Sequence, residues 1–366
     1  MRILYTTCIP SPYKVEFFNE LSKYCDLTVV YERKSASDRE ASWKNEQKGI
    51  YKVIFLNGIK ISNDSSISFG LINHLKKEKY DIIVFGVYHT ITSMLTMQYL
   101  KNKGISFVMS SDGGFIKKGN FLKNKLKSHF ISMASWYMSP GGETDDYLIK
   151  YGADKRKIYR YPFTSLSESD ILEKIISNDE KRSFKKSLNI KEKKMIFSVG
   201  QMIHRKGFDI LLKAFSEVHG DVGLYIAGGF PTDEYKDIIR RNNISNVHFV
   251  GFMSKRELSN YYKAADLFVL PTREDIWGLV IIEALGFGVP VITTNRCNAG
   301  LELIEKGVNG VIVSVESSKE ISEAINKFLK KENEKIAKKC LTSVKEYTFE
   351  NMVNKHLELF SKIMEE

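Results

Sequence analysis

The chain has 366 residues, 43% apolar and 27% charged, which excludes a disordered or fibrous protein and exceeds what one hydrophobic core usually holds. Its net charge of +11 is lopsided: residues 1–160 carry 25 Lys and Arg against 15 Asp and Glu, and the remainder carries 30 against 29. The first half therefore calls for an anionic partner, whether phosphate-rich substrate, membrane surface or nucleic acid.

Met1-Arg2 leads straight into the strand-like Ile3-Leu4-Tyr5-Thr6-Thr7, without the apolar stretch of an export signal. No window is apolar enough to predict a membrane span. Cys8, Cys25, Cys297 and Cys340 are scattered with no metal-ligand spacing, so a reducing cytoplasm is the expected setting. Predicted strands follow at Arg2–Thr7, Asp26–Tyr31, Val53–Leu56, Asp81–Val87, Ile105–Ser110 and Trp136–Met138, separated by segments of helical periodicity. The polar stretch Glu168–Lys194 separates the halves. The alternation then restarts with strands at Met195–Val199, Leu224–Ala227, Val247–Val250, Asp266–Leu270, Pro290–Thr293 and Gly310–Val313. Phe208/Leu211/Leu212/Phe215 marks an intervening helix face, and Ser254-Lys255-Arg256-Glu257 reads as a capping box. This α/β pattern predicts two doubly wound, Rossmann-like domains, 1–170 and 171–347, with a last helix at 348–366 packing back towards the first. Ligands of such sheets bind beyond the carboxyl ends of the strands, so a cleft between the domains is the expected site.

The most informative stretch runs from Leu270 to Pro290. A strand ends, an acidic loop follows, Gly278 opens an apolar helix, and Gly288-Val289-Pro290 ends it. The amides from Trp277 through Gly278 to Leu279 lie at a helix N-terminus, where a phosphate or sugar oxygen is stabilised. Asp275 precedes that helix and Glu283 lies inside it; carboxylates there suit sugar hydroxyls, while an N-cap and a solvated helix residue are the plainer readings. Between Val199 and Gly207, Arg205 and Lys206 precede another helix and can clamp a diphosphate.

These motifs resemble the retaining glycosyltransferase family 4, whose fold is GT-B with the donor between two domains. That family's acidic pattern, two acids separated by seven residues, is met by Asp275 and Glu283, with Glu274 adjacent and Trp277 in place of the usual Phe. Lys206-Gly207 matches its basic motif, with Arg205 supplying the charge of an arginine that is Gln201 here. Ile226-Ala-Gly228-Gly229 resembles its glycine turn, and Val247–Gly251 with Phe252 resembles the loop bordering the nucleotide base. The resemblance, close over about residues 195–315, implies a nucleotide-sugar donor, with Asp275 on the sugar and Glu283 on the ribose. It also implies retaining chemistry.

No Asp-x-Asp occurs in the chain, so basic side chains and a helix dipole, rather than a metal, are the expected stabilisers of the leaving group, and no cofactor is expected. In the first domain Ile9-Pro-Ser-Pro-Tyr13-Lys14 replaces the family's glycine-rich loop, leaving Tyr13 and Lys14 as acceptor-side candidates. His89 falls near the family's active-site histidine, and Asp112, in Ser111-Asp-Gly-Gly114, is placed to take the acceptor's proton; an N-cap and a turn residue are the alternatives. Lys117, Lys118, Lys123, Lys125 and Lys127 accompany Leu122, Leu126, Phe130 and Met133, which reads either as a packed helix with a solvated lysine face or as an interfacial helix on anionic lipid. Nucleic acid is disfavoured for want of a binding module.

The expectation is a hexosyl-type transferase at the cytoplasmic face, acting on a glycan or lipid-linked acceptor in bacterial surface polysaccharide synthesis. A GT-B sugar-nucleotide epimerase and a non-catalytic nucleotide-sugar-binding subunit are the alternatives. A dinucleotide oxidoreductase is disfavoured because no strand is followed by G-x-G-x-x-G.

Overall fold

Short apolar runs and amphipathic helices build two parallel sheets. The computed structural model describes residues 1–34, 50–62, 65–117, 119–331 and 333–366. They form two compact units, Met1–Thr164 with Phe349–Glu366, and Ser165–Thr348.

In the first unit the strands are β1 (Arg2–Thr7), β2 (Asp26–Tyr31), β3 (Lys52–Phe55), a small antiparallel pair β4 (Ile59–Ser62) and β5 (Ser65–Ile67), then β6 (Ile82–Phe85), β7 (Val108–Ser110), β8 (Trp136–Ser139) and β9 (Ile158–Arg160). Seven of them make a parallel sheet in the order β3-β2-β1-β6-β7-β8-β9. Helices cover both faces, which is why β1 and β6 are apolar on both sides. Leu4, Val30, Ile83 and Phe85 pack with Met97, Leu100, Phe107 and Met109 on one face. On the other, Tyr5 meets the rings of Phe17 and Phe18 at 6.1 and 4.9 Å.

The predicted strand at Ile105–Ser110 begins later, at Val108. Gly104 adopts φ 68° after the helix Ile91–Asn102, and the Ile105 amide bonds back to Leu100 O at 3.0 Å. Ile105 thus closes a helix end rather than opening a strand.

The helix Phe349–Glu365 belongs to this unit and lies on the helix Pro12–Leu21. It buries Met352, Val353, Leu359 and Phe360, each worth about 1.5–3 kcal/mol of apolar burial. His356 is fully buried, 4.8 Å from Phe17 and 4.9 Å from Tyr161 between ring centroids, and donates from Nδ1 to Met352 O at 2.7 Å. Burial drives its pKa down to about 4, so it packs as a neutral ring.

The second unit has β10 (Lys194–Val199), β11 (Val222–Ala227), β12 (Val247–Gly251), β13 (Leu267–Leu270), β14 (Val291–Thr294) and β15 (Gly310–Val313), all parallel, in the order β12-β11-β10-β13-β14-β15. The helix Phe208–Phe215 buries Phe208, Leu211, Leu212 and Phe215, the face its periodicity predicts. The capping box forms: the Glu257 amide donates to Ser254 Oγ at 3.3 Å, and the Ser254 amide to Glu257 Oε2 at 2.7 Å.

Each sheet winds outward in both directions from its first strand. The winding reverses between β1 and β6 in one unit and between β10 and β13 in the other. Loops leaving the carboxyl ends there diverge, which opens a crevice at each position.

Candidate functional site

In the second unit the loops after β10 and β13 flank the crevice. Gly207 has φ 72°, and a Cβ there would lie 2.2 Å from Pro271 O. Only glycine allows that approach. It lets the loops zip together: Arg205 O accepts from the Arg273 amide at 2.8 Å and from Thr272 Oγ1 at 3.0 Å.

This brings Arg205, Lys206, Glu274 and Asp275 together. Lys206 Nζ lies 2.6 Å from Asp275 Oδ2, both side chains being 12% exposed. Arg205 donates to Glu274 O at 2.8 Å and stands 3.8 Å from the same Asp275 oxygen. The Glu274 carboxylate pairs with Arg296 at 3.0 Å. Asp275 is pinned from behind by its amide, which donates to Arg296 O at 2.8 Å.

Sequence reasoning missed Arg273 and Arg296. Arg273 donates to both oxygens of Asp209 at 2.8 Å, to Glu316 at 2.8 Å and to His204 O at 2.7 Å. Those bonds, led by Asp209, hold its guanidinium above the ordinary arginine range and make it a clamp beneath the site. The charge next to Glu274 was visible in the sequence, but its partner lies 64 residues away.

Trp277 is buried, and its carbonyl accepts from the Ala299 amide at 2.8 Å. Gly278, at φ 104°, is the N-cap of the helix Leu279–Gly286, which starts without an acidic residue in its first turn. Gly228, at φ 110°, donates its amide to Gly251 O at 2.7 Å, and a Cβ on it would fall 2.3 Å from Gly200 O. The floor beside the Lys206 stem is therefore bare backbone. Phe252 stands at its rim, half exposed, with Phe230 more exposed beside Gly251.

Glu283 sits in a separate cluster. Its Oε1 accepts from Ser165 Oγ at 2.8 Å and its Oε2 from Tyr262 OH at 3.0 Å. Ser165 O accepts from Lys255 at 3.3 Å, and Lys255 pairs with Asp170 at 2.8 Å. Burial raises the pKa of the Glu283 carboxyl, and the two hydroxyls oppose that shift.

In the first unit Lys14 and Asp112 meet. Lys14 Nζ lies 2.8 Å from Asp112 Oδ2 and 3.2 Å from Thr7 Oγ1. Burial alone would lower the Lys14 pKa; Asp112 overrides it and holds the ammonium well above the ordinary range. Tyr13 presents its ring edge-on to Phe163 at 5.6 Å. His89 follows β6 at the surface. Desolvation by the surrounding protein, then the positive charges of Lys14, Arg33 and Lys127, lower its pKa, so the neutral imidazole dominates near pH 7. Sequence reasoning also missed Glu32, whose buried Oε1 accepts from Thr90 Oγ1 at 2.6 Å and Ser93 Oγ at 2.8 Å.

The lysine-rich helix, Phe121–Ile131, packs through part of the face its spacing predicts: Phe130 lies against the first unit's core and Met133, just beyond the helix, is buried in it, whereas the other apolar positions are open. Phe121 is 77%, Leu122 70% and Leu126 49% exposed, and Ile131 is its only buried residue among those described. Lys118 lies outside the described residues. No helix of the described residues is long and apolar enough to cross a membrane.

Residues 179–346 match the family model described as glycosyl transferases group 1. That stretch lies within the second unit. The group 1 domain is the second unit, and the two parallel-sheet units have the GT-B fold. The chain is 30% identical over 159 residues to the uncharacterized glycosyltransferase MJ1607 of Methanocaldococcus jannaschii, covering 42% of this chain and 40% of that protein's length. It is 27% identical over 305 residues to an uncharacterized 41.2 kDa protein in the cps region of Klebsiella pneumoniae, covering 77% and 80% of the two chains. Among solved structures, Anabaena Alr3699/HepE in complex with UDP superposes with a TM-score of 0.80 at 16% identity, over 99% of this chain and 100% of that chain. At that identity the likeness to HepE is one of fold.

Proposed function

We propose that this glycosyltransferase moves a sugar, with retention of configuration, from a nucleotide-sugar donor held by its second unit to a lipid-linked glycan in bacterial surface polysaccharide synthesis. The observation that carries the reading is the Lys206–Asp275 pair, set at the reversal of strand order beside a helix N-terminus and a floor of bare glycine backbone.

As the bond from the anomeric carbon to the leaving phosphate breaks, negative charge collects on the diphosphate. Lys206 and Arg205 stabilise it where it develops, without a metal. Asp275 accepts hydrogen bonds from sugar hydroxyls. Glu283, fixed by Ser165 and Tyr262, keeps lone pairs for ribose hydroxyls, since a carboxylate offers about four acceptor positions. Phe252 offers an apolar face to the base. His89, neutral, and Asp112 are the groups of the first unit suited to take the acceptor hydroxyl's proton. The position of the Klebsiella relative in a cps region supports the polysaccharide setting.

The reading is tested by thermal unfolding against UDP-, GDP-, ADP- and CMP-sugars in the presence of a chelator, UDP leading because the HepE structure contains it. One nucleotide class is expected to raise the melting temperature, and Glu283→Ala is expected to abolish that shift. No shift with any donor would sink the assignment.

We also propose that the first unit docks on the inner face of the plasma membrane. Phe121, Leu122 and Leu126 point to solvent on a helix that also carries Lys123 and Lys125, and each lysine near an anionic bilayer adds about 1 kcal/mol. Binding to anionic vesicles is expected to fall steeply with salt and to be lost in Phe121→Ser/Leu122→Ser; unchanged binding by that variant would remove the helix from any membrane role.

A further inference from the structure

We propose that His356 and Tyr161 are positioning residues of the acceptor side: from the C-terminal helix, His356 holds in register the two supports on which the Lys14–Asp112 pair stands. This rests on the reading above, in which Asp112 is suited to take the acceptor hydroxyl's proton.

The partners of that pair stand on separate elements. Lys14 lies in the helix Pro12–Leu21, and Asp112 in the loop after β7. Their contact, 2.8 Å from Lys14 Nζ to Asp112 Oδ2, therefore depends on how the helix and the loop are set against each other. The loop is tied at Ser111. Its amide donates to Met138 O at 3.0 Å, its Oγ meets Gly113 O at 3.2 Å and the Gly113 amide at 3.3 Å, and its carbonyl accepts from Tyr161 OH at 2.8 Å. Tyr161 follows β9, and β8 lies between β9 and β7, so this last bond reaches across a strand. It also acts at the point that matters, because the Ser111 carbonyl belongs to the peptide that carries Asp112.

His356 touches both supports. Its ring lies 4.8 Å from that of Phe17, three residues after Lys14 in the same helix, and 4.9 Å from that of Tyr161, edge-on. A second row of rings joins the same two places: Tyr13, next to Lys14, meets Phe163 at 5.6 Å, and Phe163 meets Tyr161 at 6.0 Å. Five rings thus form a closed circuit from the helix that carries Lys14 to the tyrosine that ties the loop of Asp112.

Packing alone would not select an imidazole at position 356. The side chain is fully buried, and Nε2 has no hydrogen-bond partner among the described residues, which opposes folding. What an imidazole has and a phenyl ring lacks is the Nδ1 bond to Met352 O at 2.7 Å. That bond fixes the turn of the ring, and with it the faces offered to Phe17 and Tyr161.

The experiment acetylates the full chain with acetic anhydride at fixed pH and follows Lys14 by mass spectrometry, with the exposed Lys123 as reference and melting temperatures alongside. Only a neutral amine reacts, so the rate at Lys14 reports how firmly Asp112 holds its ammonium. Asp112→Asn is expected to speed labelling of Lys14 about tenfold or more, and Tyr161→Phe, which removes one oxygen, about threefold, with Lys123 unchanged. Because Tyr161 acts through Asp112, Tyr161→Phe should add nothing in the Asp112→Asn background. His356→Ala is expected to act as Tyr161→Phe does, and His356→Phe to recover most of the protection. Labelling of Lys14 unmoved by Tyr161→Phe overturns the proposal, and so does an equal increase with Asp112 present or replaced, which is the mark of general loosening. The labelling uses no nucleotide sugar, so its failure is separate from that of the donor reading, which the melting experiment above decides.

Discussion

Lys206→Ala is expected to lower kcat/KM for glycosyl transfer by about 10²–10³-fold, the cost of removing one preorganised charge-stabilising group from a water-poor site. The ammonium is nearly buried, its stem lies against Gly200, and its head touches Asp275 at 2.6 Å. It is therefore held in position before substrate arrives, and none of the reaction's driving force goes into ordering it. The fold should survive, because Arg205 stays 3.8 Å from the same Asp275 oxygen and inherits part of its charge. Arg205→Ala should cost less, about tenfold, since that guanidinium is 44% exposed and solvent screens it. Steady-state kinetics on both variants, with melting temperatures alongside, measure the difference. Near-normal turnover by Lys206→Ala would take this residue out of the mechanism.

Gly207→Ala is expected to be the most damaging change of one methyl group in the second unit. Its φ of 72° costs an L-residue about 1–2 kcal/mol. The larger effect is steric. The new Cβ would stand 2.2 Å from Pro271 O, a backbone atom that cannot rotate away. Relief requires the loop after β10 to part from the loop after β13, which breaks the bonds from Arg273 N and Thr272 Oγ1 to Arg205 O and moves Lys206 off Asp275. A total of about 3 kcal/mol or more corresponds to a melting-temperature drop of roughly 6–12 °C for a unit of this size, with donor-induced stabilisation lost. Gly104→Ala is the control: its φ is 68°, but nothing lies within 4 Å of the added atom, so it carries the backbone cost alone. Equal losses in the two variants would mean that the loop contact yields easily.

The strand–helix alternation was legible because each parallel strand, covered on both faces, must be an unbroken apolar run such as Ile82–Phe85. The capping box of Ser254 and Glu257 was legible because its partners lie only three positions apart. Ile105 misled because an apolar residue after a glycine can close a helix as well as start a strand. The acidic and basic motifs of the second unit could be read singly, since each occupies one loop. What joins them could not. The Lys206–Asp275 bond spans 69 positions and the Ser165–Glu283 bond 118, and only the order of strands in the sheet decides which loops become neighbours. The same holds for Lys14 and Asp112. The sequence offered them separately, Lys14 as an acceptor-side candidate and Asp112 as a proton acceptor, and the reversal between β1 and β6 sets them face to face. Leu122 and Leu126 show the opposite limit: helical spacing reveals that a face is apolar, but not whether anything covers it.

The helix Phe349–Glu365 completes a core that residues 1–164 begin. During translation, then, the unit made first is finished last. Phe17 and Tyr161 wait for His356 and Phe360 while the whole of Ser165–Thr348, continuous in the chain, is being synthesised. The second unit can fold as it leaves the ribosome, whereas the first carries an open apolar seam in the nascent protein, a surface that chaperones bind and that aggregation exploits. Completion of the first unit thus has to follow synthesis of the whole of the second.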